Sequence, residues 1–276
     1  MPRGKGARNI KRKSDTDVVA SSSKIKKTLS EDDSISPDIR KSIKDEQVSC
    51  DSGSQGAVIH APGSRLDSMF FNRSCKELAK ALLGQTLISI VDKTRVAGKI
   101  VETEAYLGPE DKAAHSYNGK RTARNEAMFL CPGTAYVYNI YGMYCCMNIS
   151  AEENGAAVLI RALQPLENLE NMDKLRTKGK EGASLMKKGG QGLCNGPSKL
   201  CQALGITKDA VNKVKLQESD SVWLEKGEDI DDKDIVCCKR INIDYAGDWV
   251  EKPLRFYVRG NGFVSIKDKD AEKDFG

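Results

Sequence analysis

Residues 1–60 contain no phenylalanine, tyrosine or tryptophan, and the first aromatic residue of the chain is Phe70. A segment without aromatic residues that is rich in Ser, Lys and Asp buries too little apolar surface to offset the entropy lost on ordering. We therefore expect a disordered tail over residues 1–62, one folded domain over residues 63–268 and a disordered C-terminal tail over residues 269–276.

Long apolar runs and metal-binding patterns are also missing. No run of 18 apolar residues occurs and no apolar segment follows the N-terminus, so we expect neither a membrane span nor a secretion signal. The nine cysteines show no C-x2-C spacing, and two histidines cannot complete a Cys/His zinc site of usual spacing. We therefore expect reduced core thiols in an intracellular protein, and neither a metal site nor disulfides.

The N-terminal tail is basic in two short clusters. KRK (Lys11–Lys13) and KIKK (Lys24–Lys27) are separated by ten residues, which is typical of a bipartite nuclear localisation signal. The alternatives are a solvated basic tail and a mitochondrial leader, although Asp15 and Asp17 argue against an acid-poor leader. The pattern favours a nuclear protein, and a mitochondrial pool is the alternative. Nuclear import factors and repair proteins are candidate partners of the tail.

The second strand of a predicted hairpin has an acidic and aromatic face. Thr86–Val91 and Val96–Glu104 have the composition of strands joined by residues 92–95. The strand period of two places Glu102, Glu104 and Tyr106 on one face. This pattern brings a carboxylate beside an aromatic ring, and it does not decide which glutamate is functional.

A second hairpin is predicted from the run YVYNIYGMYCCMNIS. Tyr136–Tyr138 and Met143–Asn148 would be its strands, with residues 139–142 as the turn. Gly142 supplies the permissive backbone, so Tyr141 would project from the tip. The alternative is a Tyr141 ring that folds back onto the sheet.

The remaining pattern predicts strands and helices around these hairpins. The predicted helices run from Ser74 to Leu83, from Glu167 to Arg176 and from Asn195 to Leu204, and the further strands are Ala156–Leu163, Val222–Glu225, Val236–Ile243, Leu254–Tyr257 and Phe263–Ile266. Residues 178–192 are predicted to form a Gly/Lys-rich loop. The start of the last helix, with a serine and a lysine, suits either a phosphate or a plain cap.

Without further information, this constellation has two interpretations. Aromatic rings, a carboxylate and Arg161 together suit an enzyme that receives a flat ring and activates a water molecule. The alternative is an ordinary aromatic sheet core with Glu104 exposed, because most aromatic stripes are core.

Five long blocks decide between these interpretations, because in order and spacing they resemble the eukaryotic alkyladenine (3-methyladenine) DNA glycosylases. The blocks are VETEAYLGPEDKAAHS (Val101–Ser116), PGTAYVYNIYGMYCCMN (Pro132–Asn148), LIRALQPLE (Leu159–Glu167), GPSKLCQALGI (Gly196–Ile206) and KPLRFYVRG (Lys252–Gly260). The resemblance implies the α+β class: a single compact domain with a curved, mostly antiparallel sheet, a protruding β-hairpin and peripheral helices.

The resemblance also implies an activity. Such enzymes flip alkylated or deaminated purines (3-methyladenine, 7-methylguanine, hypoxanthine and ethenoadenine) out of duplex DNA and hydrolyse the N-glycosidic bond, which initiates base excision repair. The implied protein is a monomer that binds damaged double-stranded DNA. The alternative is a catalytically silent module that binds damaged DNA or RNA on the same fold.

Site residues follow from the matching positions. Glu104 resembles the general base, and Arg161 the residue that holds the attacking water and the abasic-site backbone. No lysine stands at a matching pocket position, which implies a monofunctional enzyme without lyase activity. The mechanism implied by the resemblance needs no metal and no organic cofactor. Tyr106, His115 and Tyr138 match the residues whose rings enclose the flipped base.

Two further positions concern selectivity and the tip of the hairpin. Asn148 matches the pocket residue that crowds a guanine 2-amino group, and Tyr141 matches the residue that fills the gap left by the flipped nucleotide. Asn139 departs from the family pattern, in which the residue beside this wedge is usually apolar. The candidate DNA backbone contacts are Arg121, Arg124, Met143, Tyr144, Ser198 and Lys199.

Overall fold

The computed structural model describes residues 60–180 and 183–273, all of which belong to one compact unit. Most of the predicted N-terminal tail, including both basic clusters, lies outside the described residues. None of the described helices is long and apolar enough to cross a membrane.

The fold is a mixed α+β domain built on an eight-stranded sheet, as predicted from the resemblance. The strands are β1 (Thr86–Val91), β2 (Thr94–Tyr106), β3 (Ala135–Ile140), β4 (Tyr144–Ser150), β5 (Ala157–Glu167), β6 (Val222–Glu225), β7 (Ile235–Cys238) and β8 (Arg255–Val258). The helices are α1 (Ser68–Phe71), α2 (Cys75–Ala81), α3 (Leu169–Thr177), α4 (Lys187–Cys194), α5 (Pro197–Ala203), α6 (Lys208–Val211) and α7 (Lys269–Lys273).

The long strand β2 organises the sheet. The strand order is β3-β4-β5-β2-β1-β6, and every pairing is antiparallel. One edge of β2 pairs with β5 along its length, while its other edge pairs first with β1 and then, over Glu102–Glu104, with β8. Register shifts against β5 near Glu102 break the regular pleat, which bends the sheet at this point.

Local signals in the sequence explain several of these elements. The side chain of Ser74 caps α2 by accepting the N–H of Glu77, as the capping pattern predicts, but the helix ends at Ala81 rather than Leu83. The β1–β2 turn is tighter than predicted: only Asp92 and Lys93 lie between the strands, both in the left-handed region (φ 48° and 63°). A two-residue turn of this kind matches the twist of the flanking strands.

The hairpin of β3 and β4 also differs in register from the prediction. β3 continues through Asn139 to Ile140, which pairs with Tyr144, so the loop consists of residues 141–143. Tyr141 and Gly142 both have positive φ (52° and 73°). Asn139 is therefore a strand residue, paired with Cys145, instead of part of the turn.

The chain after β5 departs from the predicted boundaries. β5 extends to Glu167, and α3 begins only at Leu169 and ends at Thr177. The predicted loop over residues 178–192 contains the start of α4, although Lys188, Gly189 and Gly190 there have non-helical backbone angles. The run predicted as one strand from Val236 to Ile243 leaves the sheet at Cys238.

The C-terminal predictions were wrong in two places. Phe263–Ile266 is not a strand, because its backbone groups bind side chains: the Ser265 N–H donates to Glu102 (2.7 Å) and the Ile266 carbonyl accepts from Arg255 (2.7 Å). Residues 269–273 were predicted to be disordered, but they form α7. Asp268 accepts the N–H of Ala271 at its start, and Ala271 packs on the cluster that includes Tyr257.

Candidate active site

A cavity of about 300 Å³ opens beside the bend of β2. This volume lies at the lower end of the range for small-molecule pockets, about 300–1,000 Å³. The lining residues are Tyr106, Ala113, His115, Met128, Tyr136, Tyr138, Ile140, Cys146, Asn148, Leu159, Arg161, Pro197, Ile241, Asn242, Ile243 and Tyr245. All four residues predicted to form the base pocket are among them, and so is Arg161.

Aromatic rings form the walls of this cavity. The His115 and Tyr138 rings meet edge to face with centroids 4.8 Å apart, and Tyr136 lies tilted against Tyr138 at 5.3 Å. The His115 Nδ1 and the Tyr136 hydroxyl are within hydrogen-bond distance (2.8 Å). Across the cavity, Tyr106 ends β2. Rings in this arrangement present faces and edges to a planar guest.

The imidazole of His115 is neutral at physiological pH. Burial, together with the nearby positive charge of Arg124, lowers the pKa of His115 to about 4. The residue as a whole nevertheless remains exposed to solvent. Burial also raises the pKa of Tyr136 to about 12 and that of Tyr138 further. The walls therefore carry no ionised ring, and they act through stacking and neutral hydrogen bonds.

Glu104 lies behind this wall and is fully buried. Its Oε2 accepts the Tyr106 hydroxyl at 2.9 Å and pairs with the Arg161 Nη1 at 3.1 Å, and its Oε1 accepts the Ile241 N–H at 2.8 Å. These three partners all line the cavity. A buried carboxylate requires such donors, because an unpaired one would lose its hydration without compensation.

Glu102 belongs to the same charge network but has fewer contacts with the residues that line the cavity. Its Oε1 is shared by the Arg161 Nε (3.2 Å) and the Arg255 Nη1 (3.0 Å), and its Oε2 accepts the Ser265 N–H. Of these partners only Arg161 lines the cavity. The ambiguity between the two glutamates is thereby reduced, because Glu104 contacts three cavity residues and Glu102 contacts one.

Arg161 lies between the two carboxylates. Burial alone would lower its pKa, but the charges of Glu104 and Glu102 outweigh burial and raise the pKa above its usual value. The guanidinium is therefore a permanent cation with two anionic partners, which fixes its plane at the edge of the cavity.

Asn148 is held by the sheet at the cavity wall. It is buried in β4, opposite Tyr136 in β3, and its Nδ2 donates to the Tyr136 carbonyl at 3.1 Å. The amide therefore has a fixed orientation. A side chain fixed in this way can exclude a guest by steric contact.

The hairpin tip presents apolar side chains to solvent. Tyr141 is 90% exposed, and Met143 (69%) and Tyr144 (40%) lie beside it. Because the ring does not fold back, the alternative prediction of a core Tyr141 was wrong. A bulky residue with φ of 52° is also uncommon, since left-handed backbone is unfavourable for residues other than Gly, Asn and Asp.

The predicted backbone contacts are spread around the cavity and the tip. Arg124 is exposed and stacks over Tyr138 at 5.3 Å, whereas Arg121 stacks over Phe129 and lies 3.8 Å from Glu126. Ser198 and Lys199 lie in the first turn of α5 next to Pro197, which lines the cavity. The side chain of Ser198 does not cap this helix, so the plain-cap interpretation was wrong.

Several residues of the site were not predicted. Asn125 anchors the segment that carries His115, because its Nδ2 donates to the His115 and Lys120 carbonyls (2.9 and 2.8 Å). The segment from Ile241 to Tyr245 also lines the cavity. So does Tyr136, which shares the strand face of Tyr138 and belongs to the tyrosine-rich run of the predicted hairpin. The segment 241–245 is far away in sequence and carries no local signal.

In the described ranges, no group of three or more His, Cys, Asp or Glu side chains is placed to hold a metal ion. The charged groups of the site instead satisfy one another. This arrangement offers a carboxylate, a cation and neutral aromatic walls, which are the elements of acid–base chemistry on a planar substrate.

Known proteins with similar sequences agree with this chemistry. The family model for methylpurine-DNA glycosylase matches residues 69–262. DNA-3-methyladenine glycosylase of Homo sapiens is 50% identical over 213 residues, which cover 76% of this chain and 71% of the human protein. The enzyme of Mus musculus is 51% identical over 215 residues, covering 76% of this chain and 63% of the mouse protein.

A bacterial relative matches over its whole length. A putative 3-methyladenine DNA glycosylase of Clostridium perfringens is 47% identical over 207 residues, covering 74% of this chain and 100% of the bacterial protein. The range matched by the family model includes every residue that lines the cavity. The chain belongs to the methylpurine-DNA glycosylase family and is therefore a DNA repair glycosylase.

Proposed function

We propose that this chain extrudes alkylated or deaminated purines from duplex DNA and hydrolyses their N-glycosidic bond without lyase activity. The substrates are 3-methyladenine, 7-methylguanine, hypoxanthine and ethenoadenine. The observation that carries the proposal is the position of Glu104, whose three hydrogen-bond donors are all lining residues of an aromatic cavity.

Extrusion of the base is supported by the shape of the site. The glycosidic carbon of a stacked nucleotide cannot reach a carboxylate that is fully buried behind Tyr106 and Arg161. Flipping a nucleotide costs a few kcal/mol, and least for damaged pairs, so that the cost itself favours lesions. The exposed Tyr141 ring is suited to fill the gap that the flipped nucleotide leaves.

Selective binding follows from the neutral aromatic walls. Alkylation at N3 or N7 makes a purine cationic, and a cation is attracted to the electron-rich faces of tyrosine. Neutral lesions such as hypoxanthine stack on the same rings and use the neutral His115 as a hydrogen-bond partner. Asn148, fixed on the Tyr136 carbonyl, excludes guanine by crowding its 2-amino group.

Hydrolysis is assigned to Glu104. A carboxylate has about four acceptor positions, and three of those of Glu104 are filled, which leaves one position on Oε1 for a water molecule. Glu104 takes a proton from this water while the oxygen adds to C1′ of the sugar. The bond from C1′ to the base breaks, and the base leaves with the electron pair.

The absence of a lyase step rests on the lining of the cavity. Among the described residues that line it there is no lysine that could form a Schiff base with the sugar. Arg161 cannot replace it, because a guanidinium stays protonated. The product is accordingly an intact strand with an abasic site.

The expected setting is the nucleus, and the protein is expected to act as a monomer. Two basic clusters in the tail support nuclear import. These parts of the proposal are independent of the catalytic site and are tested separately.

Replacement of Glu104 by Gln tests the catalytic assignment. Excision is followed as alkali-labile strand breaks in a duplex that contains hypoxanthine or ethenoadenine, under single-turnover conditions. The variant should bind the lesion normally and lose about 10²–10⁴-fold in rate, as removal of a general base does. If the protein is instead a catalytically silent binding module, the unchanged protein will not excise either lesion. Retained turnover in the variant, with loss of activity in Glu102→Gln, would transfer the role to Glu102.

A further inference from the structure

Behind Tyr106, on the side away from the cavity, lies a fully buried ion pair between Asp111 and Arg240. The two terminal nitrogens of Arg240 donate to the two carboxylate oxygens of Asp111, at 2.6 and 2.9 Å. Asp111 follows β2 in the chain, whereas Arg240 follows β7, so the pair joins two segments that are far apart in sequence.

Arg240 contacts the catalytic wall in two ways. Its guanidinium carbon lies 4.7 Å from the centroid of the Tyr106 ring, and its Nη1 also donates to the Ala105 carbonyl at 3.0 Å. The next residue, Ile241, provides the N–H that binds Glu104. The position of Arg240 thus determines both the back of the Tyr106 ring and one of the three donors to Glu104.

Asp111 organises the segment that leads to His115. Besides Arg240, it accepts the backbone N–H groups of Leu107 and Ala113, both at 3.0 Å. An outer ion pair between Lys112 and Asp248 (2.6 Å) joins the same two segments at the surface. The turn after β2 is therefore held against the segment after β7.

Stability alone does not account for this pair. A buried Arg–carboxylate pair is weak evidence for stability, because the cost of removing both charges from water offsets their attraction. The Arg240 Nε is moreover buried without a hydrogen-bond partner in the described structure, which costs additional free energy. A planar, bidentate arrangement does, however, fix orientation.

We infer that Asp111 and Arg240 are positioning residues for base excision, because together they hold Tyr106 and the Ile241 N–H against Glu104. The inference rests on the proposed function of Glu104. Neither side chain lines the cavity, so the pair acts on the geometry of the reaction and not on contacts to DNA.

The test uses Asp111→Asn and Arg240→Lys in the full chain. Asp111→Asn removes the charge and one acceptor, and Arg240→Lys keeps both charges but removes the bidentate fork and the stacking plane. We expect both variants to lower the maximal single-turnover rate on an ethenoadenine duplex about 10–100-fold, as small misplacements of catalytic groups do. The dissociation constant for an undamaged duplex should change less than twofold.

Rates are measured well below the unfolding temperature and referred to the fraction of active protein. If the pair is purely structural, the active fraction of each variant will excise at the normal rate and only the unfolding midpoint will fall. This result would overturn the inference. An unchanged excision rate in Arg240→Lys would also overturn the inference, because a positive charge alone would then be enough for normal excision. Should Asp111→Asn not fold, Arg240→Lys provides the same comparison.

Glu225→Gln is the matched control. Glu225 forms a comparable bidentate pair with Arg95 (2.8 Å to each terminal nitrogen), but it does so where β6 meets β1, outside the cavity lining. This variant should lower stability and leave the excision rate unchanged. Equal loss of rate in Glu225→Gln and Asp111→Asn would show a general effect of destabilisation. Failure of the unchanged protein to excise any lesion would instead refute the proposed function.

Discussion

Replacing Tyr141 by Asn should have opposite effects on the stability of the free protein and on its affinity for lesions. Tyr141 is 90% exposed, so removal of its ring sacrifices almost no buried surface. Its φ of 52° is in the left-handed region, which is unfavourable for most side chains and which Asn tolerates. The free protein therefore supports this ring at a cost in stability.

The magnitudes follow from this geometry. Left-handed backbone costs a typical residue about 1–2 kcal/mol, and Asn relieves part of that cost, so the free energy of unfolding should rise by about 0.5–1 kcal/mol. In the complex, the ring stacks on exposed bases, which contributes about 1–3 kcal/mol. Its loss should weaken binding to a flipped lesion by about 5–150-fold.

Two measurements on the same preparation check these values. Urea unfolding gives the free energy of unfolding, and the fluorescence of ethenoadenine in a duplex reports the extruded base. Lys93→Asn is the matched control, because Lys93 also has a left-handed backbone (φ 63°) in a turn remote from the cavity lining. The control should be stabilised by a similar amount and should bind lesions normally.

The reasoning fails if Tyr141→Asn loses more than about 1 kcal/mol of stability while lesion binding is unchanged. Such a result would mean that the ring packs on the protein in solution. A decrease in lesion binding by Lys93→Asn would show that the assay responds to stability and not to the tip.

Three other expectations concern pH, selectivity and localisation. Burial and Arg124 lower the pKa of His115 to about 4, so the imidazole should titrate near that value by NMR. Its contribution to the free energy of unfolding should be complete above about pH 6.5 and decrease as the pH falls towards 4. A titration near pH 6.5 would contradict this expectation. Asn148→Ser should increase the single-turnover rate of guanine excision relative to that of hypoxanthine by about 10–100-fold. It should also destabilise the protein by about 1–3 kcal/mol, since the Tyr136 carbonyl loses its donor. An unchanged ratio of the two rates would mean that another residue excludes guanine. A chain that begins at Gly63 should excise normally in vitro but not accumulate in nuclei when fused to a cargo too large to diffuse, and nuclear accumulation of that fusion would refute the signal.

Alternation along single strands predicted the parts of the site that are local. Glu104 and Tyr106 are two residues apart in β2, and their side chains are hydrogen-bonded in the structure. Tyr136 and Tyr138 likewise share one face of β3, and both line the cavity. Such pairs depend only on the strand period, so the sequence contains enough information to place them.

The registers of the hairpins were harder to predict from the sequence, because turns that differ in position by one or two residues fit the same hydrophobic pattern. The turn of the β3–β4 hairpin was predicted at residues 139–142 but comprises residues 141–143 in the structure, so Asn139 is a strand residue and not a turn residue. The positive φ of Tyr141 decides this register, and a tyrosine gives no advance sign of it.

Most of the contacts that distinguish Glu104 from Glu102 are non-local. Ile241 and Arg161 complete the environment of Glu104, while Arg255 and the Ser265 N–H complete that of Glu102. The same contacts explain why residues 263–266 do not form a strand, since their backbone groups are used by the charge network. Neither conclusion follows from spacing, because Ile241 is 137 residues from Glu104 and Ser265 is 163 residues from Glu102.

Several groups around the cavity and at the tip of the β3–β4 hairpin lower the stability of the free protein. Tyr141 exposes an aromatic ring on strained backbone, Glu104 and Arg161 remove charges from water, and the Arg240 Nε lacks a partner. Well-packed hydrophobic side chains in place of such a buried ion pair are often equally or more stabilising. The Arg95–Glu225 pair, by contrast, remains partly exposed and loses less hydration. Strain and buried charge of this kind persist where a substrate makes use of them, which is the physical reason to seek the function of this chain here.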